Sequence, residues 1–169
     1  MKKEYQLRKH TFDLVCDKEC KILILGSLPS IVSQEMNFYY AHPRNRFWDI
    51  MGILLKESNL KDFSIEEKKS VLLRNHIALY DVISECKIRA SSDSEIDLDT
   101  IVVCDLKAIL KNSKIKVIFL NGQKAFSIFK KYFPQYVSMA QVLPSTSPAN
   151  AKENIDSLLE KWKIVQNYQ

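Results

Sequence analysis

Short apolar runs separated by amphipathic stretches dominate the pattern of this chain. Four runs rich in aliphatic residues predict buried strands over Lys21–Leu25, Ile77–Ile83, Ile115–Leu120 and Val137–Leu143. Apolar positions at helical spacing predict helices over Phe47–Lys56, Ser64–Arg74, Asp105–Asn112, Gln123–Phe133 and Asn150–Val165. Two of these helices open on predicted capping boxes, Ser64 with Glu67 and Asn150 with Glu153. Strands that alternate with helices imply right-handed crossovers, so the pattern predicts an α/β fold around a largely parallel sheet.

Polar segments follow the predicted strands at their carboxyl ends. Parallel sheets bind ligands beyond these ends, which here are Gly26–Ser30, Tyr80–Asp81, Asn121–Gly122 and Pro144–Asn150. Two of the three glycines, Gly26 and Gly122, end strands, where a backbone must turn tightly or approach another group closely. Because all these segments meet at one rim of the sheet, the sequence predicts a site there.

The composition is that of an ordinary globular protein and narrows the function little. At 169 residues, with 46% hydrophobic and 27% charged residues, the chain is expected to form one domain over residues 1–169. A net charge of +5 allows a polyanionic partner without requiring one. The four cysteines contain no Cys-x-x-Cys pair, which predicts free, buried thiols rather than a metal site.

Several classes of protein and of site are not expected. The start of the chain is charged and no apolar run approaches the length of a membrane span. We therefore expect a soluble, cytoplasmic protein with no signal peptide and no membrane partner. The three histidines lack metal-ligand spacing, so we expect no metal. The segment Gly26–Ser30 lacks the second glycine and the Lys-Ser/Thr pair of a phosphate-binding loop, and Ser27 is not in the context of a nucleophile elbow.

The most unusual stretch is Asn37–Trp48, which combines aromatic rings with arginines, amides, a histidine and a proline. A core strand would not carry Arg44, Asn45 and Arg46 in a row, and a solvated loop would not expose so much ring surface. Flat rings beside amides and guanidiniums suit a pocket that stacks a planar ligand and holds an anion. The alternative is a surface loop whose rings are buried in the core, and composition alone leaves both open.

A second unusual segment, Pro144–Asn150, contains three hydroxyls and two prolines just before the last predicted helix. Hydroxyls and free backbone N–H groups at a helix N-terminus can hold phosphate oxygens. A simple capping turn is the alternative, and it would explain Asn150 but not the whole cluster. The cluster therefore favours phosphate binding slightly over a simple turn.

Taken together and in order, several segments resemble the uracil-DNA glycosylase superfamily, and within it the hypoxanthine (deoxyinosine) DNA glycosylases. The segments are Gly26–Ser30, Tyr39–Trp48, Ile77–Ile83, Ser91–Ile96, Phe119–Ala125 and Leu143–Asn150. The resemblance spans Lys21 to Trp162 and leaves residues 1–20 as an amino-terminal extension of uncertain role. It implies a three-layer α/β/α sandwich with a central, mainly parallel four-stranded sheet, and base excision without metal or cofactor.

The resemblance also assigns roles to residues. The superfamily commonly carries an Asn or Asp after the first strand to position the attacking water, but Leu28 occupies that place here and cannot do so. In the deoxyinosine branch the asparagine that matches Asn45 is the functional one, so Asn45 is the predicted catalytic residue. The predicted base-binding residues are Gly26, Ser27, Leu28, Tyr40, Asp81 and Ser145. The predicted contacts with the DNA backbone are Ser30, Arg44, Arg46, Ser147, Pro148 and Ala149.

The leading hypothesis is a monofunctional DNA glycosylase that flips out a deaminated base and hydrolyses its N-glycosidic bond. Hypoxanthine is the expected base, with uracil or xanthine as further candidates, and Tyr40 is expected to stack on it. The expected partner is DNA containing deaminated bases, bound by a monomer that acts on chromosomal DNA. Two alternatives remain: a catalytically silent DNA-binding protein of the same fold, which Leu28 favours, and a small-molecule hydrolase that binds nucleotides.

Overall fold

The computed structural model describes residues 4–89 and 95–169. Part of the segment Ser91–Ile96, its residues 91–94, lies outside the described residues. The strands are β1 (Gln6–Lys9), β2 (Ile22–Gly26), β3 (Ile77–Asp81), β4 (Ile83–Ile88), β5 (Ile96–Val103), β6 (Val117–Asn121) and β7 (Ala140–Leu143). The α-helices are α1 (Ile31–Glu35), α2 (Phe47–Leu54), α3 (Ile65–Arg74), α4 (Leu106–Lys111), α5 (Gln123–Tyr132) and α6 (Ile155–Trp162). Short 3₁₀ helices cover Leu60–Asp62, Pro134–Met139 and Lys163–Tyr168.

The central sheet has four parallel strands in the order β3-β2-β6-β7. In its register, Leu25 of β2 lies between Tyr80 of β3 and Leu120 of β6. Successive side chains of a strand point to opposite faces of the sheet, so Ile24 enters one hydrophobic core while Leu25 enters the other. Burial on both faces explains the continuous apolar runs. The predicted four-stranded, mainly parallel sheet is confirmed.

Helices cover both faces of this sheet. Helices α2, α3 and α6 pack against one face, where Trp48 and Trp162 are buried. Helices α4 and α5 pack against the other face through Ile109 and Phe129, together with residues of β4. The three-layer α/β architecture expected from the sequence is therefore confirmed.

The sequence pattern does not predict the second sheet, in which the strands pair antiparallel in the order β1-β4-β5. Strand β4 follows β3 after a single residue, Val82, so the predicted strand Ile77–Ile83 contains the whole of β3, Val82 and the first residue of β4. Strand β5 carries Asp97 and Asp99 and fully buries only Ile96, while β1 has no fully buried residue. Strands that bury so little of their surface lack the apolar pattern by which a strand is recognised.

The amino-terminal segment connects the two sheets. After β1, Val15 forms an antiparallel bridge with Leu79 on the outer edge of β3, through backbone hydrogen bonds of 3.1 and 2.8 Å. Such pairing covers the N–H and C=O groups that an edge strand would otherwise expose. Val15, in the amino-terminal extension to which the sequence assigned no role, thus contributes to the edge of the central sheet.

The helix starts agree with the prediction at one place and differ at another. The capping box of Ser64 and Glu67 is confirmed at the start of α3. The capping box predicted at Asn150 is wrong, because Asn154 caps α6 and exchanges hydrogen bonds of 2.9 and 3.0 Å with Ser157. The segment Pro144–Asn150 is consequently separated from α6 by several residues.

The fourth strand of the central sheet is shorter than predicted. The strand expected over Val137–Leu143 begins only at Ala140, because Pro134–Met139 forms a 3₁₀ helix. All four cysteines are free thiols, and three of them are buried as expected, while Cys16 is half-buried. Among the described residues, no helix has the length and apolar character that crossing a membrane requires.

Candidate active site

The carboxyl ends of the central strands surround a cavity of about 540 Å³. The residues that line it are Gly26, Ser27, Leu28, Pro29, Ser30, Ser33, Tyr39, Tyr40, Asn45, Asp81, Asn121, Ser145, Thr146, Ser147, Ala149 and Asn150. Asn45 and all six predicted base-binding residues therefore share one cavity. Of the predicted contacts with the DNA backbone, three line the cavity and three lie outside its lining, namely Arg44, Arg46 and Pro148.

The inner end of the cavity lies where β2 stops at Gly26. A Cβ atom on Gly26 would lie 2.5 Å from Oδ1 of Asp81 and 2.9 Å from the hydroxyl of Tyr40. Side-chain carbon atoms do not approach other groups so closely, so only the hydrogen of a glycine fits here. Gly26 thus allows an acid and a phenol to converge at the end of the strand.

Tyr40 is held in an uncommon backbone conformation. Its φ is +52°, in the left-handed region that side chains rarely adopt and that is often found at functional sites. Its ring stacks on Phe47, with centroids 4.2 Å apart and planes 30° from parallel. Because Phe47 is itself fully buried at the start of α2, the stack fixes the ring of Tyr40 in the cavity wall.

The other rings of Asn37–Trp48 pack in the core. Phe38 and Trp48 stack with centroids 5.7 Å apart, and the indole N–H of Trp48 donates to the carbonyl of Tyr39 over 2.9 Å. Burial raises the pKa of Tyr39, whose hydroxyl donates to a carbonyl of the amino-terminal segment over 2.7 Å. The composition left open whether the rings of this stretch line a pocket or are buried in the core. Most of them are buried in the core, whereas Tyr40 is partly exposed and lines the cavity.

The amide of Asn45 is fixed at the start of α2. Its Oδ1 accepts a hydrogen bond from the backbone N–H of Phe47 over 2.9 Å. Its own backbone N–H donates to the carbonyl of His42 over 2.9 Å. The Nδ2 group is the opposite end of the amide and carries two N–H donors. Asn45 thus offers the cavity a donor whose orientation is set by the backbone.

Asp81 ends β3 and is almost completely buried. Its Oδ2 lies 2.8 Å from Nε2 of His10, whose ring is equally buried. Burial raises the pKa of Asp81 because it disfavours the charged form, and the contact with His10 opposes this effect. His10 is not among the predicted site residues, because it lies outside the resemblance and no motif or spacing indicates it.

Arg46 holds the segment Pro144–Asn150 in place. Its guanidinium donates to the carbonyl oxygens of Thr146 at 3.3 Å, Ser147 at 2.6 Å, Asn150 at 3.0 Å and Glu153. From the sequence, Arg46 is predicted to contact DNA phosphates. Backbone carbonyls accept hydrogen bonds from its planar donors, so Arg46 holds the segment in position, and its contact with phosphates stays a prediction.

Asn121 attaches the same segment to the sheet. It ends β6, its Oδ1 accepts from the backbone N–H of Thr146 over 3.0 Å, and its Nδ2 donates to the hydroxyl of Thr146 over 3.0 Å. Thr146 is completely buried. Asn121 is predicted at the rim of the sheet but is not among the predicted site residues; its position before Gly122, at a strand end, was the available indication.

The hydroxyls of Pro144–Asn150 shape a turn. Oγ of Ser145 accepts from the N–H of Ser147 over 3.2 Å, and Oγ of Ser147 accepts from the N–H of Ala149 over 3.2 Å. The expectation that these hydroxyls stand at a helix N-terminus is wrong, because α6 begins only at Ile155. Both serines still line the cavity, and a hydroxyl that accepts one hydrogen bond can donate another.

The wall that follows β2 combines an apolar and a polar residue. Leu28 lines the cavity and packs against the core on the α4 and α5 side. Its side chain has no hydrogen-bonding group, so it cannot orient a water molecule. Ser30 caps α1, where its Oγ accepts from the N–H of Ser33 over 3.1 Å.

This fold and this cavity can be compared with known proteins. The family model described as the uracil DNA glycosylase superfamily matches residues 12–167. The chain belongs to the uracil DNA glycosylase superfamily. The resemblance inferred from the ordered motifs is thereby confirmed.

Individual relatives resemble this superfamily member over most of their length. A protein named hypoxanthine DNA glycosylase from Methanosarcina acetivorans is 38% identical over 163 residues, which cover 93% of this chain and 97% of the relative. A protein of the same name from Methanosarcina barkeri is 33% identical over 161 residues, which cover 92% and 96%. A solution NMR structure from Methanosarcina acetivorans, of a candidate uracil DNA glycosylase, has a TM-score of 0.79 at 32% identity and covers 96% of this chain and 99% of its own.

Proposed function

We propose that this protein is a DNA glycosylase that excises hypoxanthine from DNA, releasing the free base and leaving an abasic site. As a member of the superfamily with relatives named hypoxanthine DNA glycosylase, it is a DNA glycosylase for deaminated bases. The choice of site rests on one observation: Tyr40, Asn45 and Asp81 line the same cavity at the carboxyl ends of the central strands. Uracil and xanthine are further candidate bases.

The first requirement is a place for a base outside the DNA helix. Removing a base from its stack costs a few kcal/mol, and stacking on an aromatic side chain returns about 1–3 kcal/mol per base. Tyr40 supplies such a ring in the cavity wall. Because Phe47 already holds this ring, little side-chain entropy is lost when a base binds. We therefore assign Tyr40 to stacking on the flipped base.

The second requirement is help for the departing base. Breaking the glycosidic bond develops positive charge on the sugar and negative charge on the base. DNA phosphates can stabilise the sugar cation, so the protein needs to orient groups and donate hydrogen bonds more than it needs a strong nucleophile. Since Oδ1 of Asn45 already accepts from Phe47, its Nδ2 group is the end that can donate to the leaving base. We assign Asn45 to this role.

The third requirement is a grip on the DNA backbone. Three predicted backbone contacts line the cavity, namely Ser30, Ser147 and Ala149. Arg44 is exposed and immediately precedes Asn45 in the chain. We assign Arg44 to one phosphate and the Ser147–Ala149 turn, including Pro148, to the strand beside the flipped nucleotide. The net charge of +5 agrees with a polyanionic partner. We further propose that the protein acts on chromosomal DNA in the cytoplasm, as a monomer and without metal or cofactor.

Base release tests the proposed function. Purified protein is incubated with duplexes containing inosine, uracil, xanthine or a thymine mispair, and free bases and abasic sites are quantified. We expect release of hypoxanthine from the inosine duplex. Asn45→Ala should reduce this release about 10²–10³-fold, the usual cost of removing one positioned donor. The lost hydrogen bond at the start of α2 should lower the free energy of unfolding by only about 1 kcal/mol, so the variant stays folded.

Asn112→Ala is the matched control. The Nδ2 group of Asn112 donates to the carbonyl of Ala108 over 2.9 Å at the end of α4, away from the cavity lining, so its loss should leave activity unchanged. Release of none of these bases by the wild-type protein would contradict the proposal. Salt-dependent DNA binding without base release would then favour a catalytically silent DNA-binding protein, for which Leu28 in the cavity wall is the specific observation. Tight binding of a free nucleotide, with no response to DNA, would favour a small-molecule hydrolase.

A further inference from the structure

The side chain of His10 makes a directed polar contact with Asp81. Nε2 of His10 lies 2.8 Å from Oδ2 of Asp81, and only 2% and 5% of the two side chains are exposed. The imidazole lies beside the rings of Phe12 and Tyr80, with centroids 4.6 Å away in each case. Its Nδ1 has no hydrogen-bond partner among the described residues. Aromatic rings thus flank the imidazole, and its polar contact is with Oδ2 of Asp81.

Backbone pairing on both sides fixes His10 at this place. Strand β1 pairs with β4, and the N–H of His10 extends this pairing by donating to the carbonyl of Ser84 over 2.8 Å. Further along the chain, Val15 pairs with Leu79 of β3. The segment is thus attached to one sheet before His10 and to the other sheet after it. This arrangement gives the amino-terminal residues a position next to the cavity.

The two carboxylate oxygens of Asp81 have different surroundings. Oδ2 faces His10, whereas Oδ1 lies at the inner end of the cavity, 2.5 Å from the point where a Cβ of Gly26 would be. A proton shared by His10 and Asp81 lies between Nε2 and Oδ2, whichever of these two atoms carries it. Oδ1 then has lone pairs only, and it can act only as a hydrogen-bond acceptor.

Deamination changes the hydrogen bonding of one ring nitrogen in a base. In adenine, N1 is an acceptor beside an amino group, whereas in hypoxanthine N1 carries a hydrogen beside a carbonyl. The N3 atom of cytosine changes in the same way when the base becomes uracil. An acceptor at the inner end of the cavity would bind the N–H of the deaminated base and would repel the lone pair of the normal base.

We propose that His10 is a positioning residue that keeps Oδ1 of Asp81 an acceptor for the ring N–H that deamination creates. This inference rests on the function proposed above and names the source of the enzyme's selectivity for deaminated over normal bases. Without His10, burial favours a protonated Asp81, and the proton can then reside on Oδ1. A donor at this point would match N1 of normal adenine, so the discrimination between adenine and hypoxanthine would be lost.

The other titratable groups near Asp81 do not replace His10. These groups are Tyr39, Tyr40, Tyr80 and Cys104. Burial raises the pKa of Tyr39 and of Tyr80 and brings that of Cys104 to about 12. A phenol or a thiol carries no positive charge in either of its protonation states, so these groups cannot balance the charge of Asp81. Among the described residues, His10 is the basic group in contact with this carboxylate.

The test compares two substitutions of His10 across acid and neutral pH. His10→Phe removes the contact with Oδ2, whereas His10→Gln keeps an amide N–H near the position of Nε2. In His10→Phe, the acid limb of kcat/KM for hypoxanthine release should move up by about one pH unit or more, because nothing opposes the protonation of Asp81. On that limb the activity falls about tenfold below wild type. His10→Gln should restore part of the lost activity.

Phe12→Leu is the matched control, because Phe12 packs against the ring of His10 without a polar contact. This substitution weakens the packing of the same segment, so the Tm of the variant should fall. The acid limb of its kcat/KM profile should stay at the wild-type pH. An acid limb that stays in place in His10→Phe would overturn the inference. An equal movement of the acid limb in Phe12→Leu would also overturn it, because the effect would then come from packing.

A second measurement needs no turnover. The ¹³C chemical shift of the Asp81 carboxyl is followed by NMR during a pH titration of the wild type and of His10→Phe. The carboxyl should protonate at a higher pH in His10→Phe, and an unchanged titration would overturn the inference. If the wild type released no base from any duplex, the proposed function would be contradicted instead. The carboxyl titration would still decide whether His10 controls the proton on Asp81.

Discussion

The inner end of the cavity and its mouth are built in opposite ways. At the inner end, Gly26 and Asp81 are paired neighbours at the ends of two parallel strands, and Tyr40 reaches the same point. At the mouth, Ser147 and Ala149 belong to a turn whose polar atoms bond to one another. The register of the central sheet determines the shape of the first region, and local hydrogen bonds determine the shape of the second.

This difference suits the two tasks of a glycosylase. Recognition of a base needs hydrogen-bonding groups that are fixed in a desolvated place, where each bond is strong and each unpaired group is costly. Attraction of DNA phosphates needs charge and little fixed geometry, and salt screens it. We therefore expect changes at the inner end to abolish excision and changes at the mouth to weaken DNA binding.

Between the inner end and the mouth, the largest effect is expected at the inner end, from Gly26→Ala. The added methyl group would stand 2.5 Å from Oδ1 of Asp81 and 2.9 Å from the hydroxyl of Tyr40, so both side chains must move. Displacements of about 1 Å cost about 10²-fold in rate, and single-turnover base release should fall by at least that factor. Gly52→Ala is the control, because a methyl group there would stand 3.1 Å from the carbonyl of Glu57, away from the cavity. It should lower Tm and leave excision intact. Wild-type excision by Gly26→Ala would show that the base does not bind at the inner end.

A smaller effect is expected from Arg46→Lys, which tests how the mouth is attached to the inner end. One ammonium group cannot reach the several carbonyls that the planar guanidinium contacts together. The free energy of unfolding should fall by about 1–3 kcal/mol, and base release should fall about tenfold as the turn is misplaced. Chemical denaturation and base-release assays measure the two effects. In the control Arg74→Lys, a surface ion pair with Glu57 is altered, and activity should not change. Equal losses in both variants would contradict the positioning role of Arg46.

The smallest effect is expected from Arg44→Ala at the mouth. If the exposed guanidinium neutralises one phosphate, its removal should reduce the slope of log K against log salt by about 1. KM for the inosine duplex should rise while kcat stays unchanged. Lys111→Ala is the control, because Lys111 ends α4 just before the chain enters the amino end of β6, whereas the cavity lies at the carboxyl ends of the strands. A salt slope that is the same in Arg44→Ala and in wild type would exclude Arg44 from the DNA contacts.

Most of the central sheet could be predicted because β2, β3 and β6 bury both faces. Residues such as Leu23 and Ile24 must both be apolar, since each enters a hydrophobic core, and the run is visible without knowledge of the fold. The antiparallel sheet could not be predicted in this way. Its strand β1 has no fully buried residue, and Val82 alone separates β3 from β4. Strand pairing stabilises these segments through backbone hydrogen bonds, which leave no pattern in the side chains.

The location of the candidate site could be predicted, but the partners of its polar atoms could not. The rule for parallel sheets and the ordered motifs placed Tyr40, Asn45 and Asp81 around one cavity. In the sequence, Arg46 has the features of a phosphate ligand as much as Arg44 does. Only the fold shows that the carbonyl of Thr146, 100 positions away, accepts a hydrogen bond from its guanidinium.

By itself, the sequence determined the order of the main strands and helices, the superfamily and the residues around the cavity, because each of these follows from neighbouring residues or short motifs. The tertiary structure alone decided which polar atoms are already engaged and which face a ligand. His10 lies 71 positions from Asp81 in the sequence and contacts its Oδ2 in the fold. That contact separates the roles of the two carboxylate oxygens of Asp81. The physical reason is that hydrogen bonds depend on distances between atoms that only the folded chain brings together.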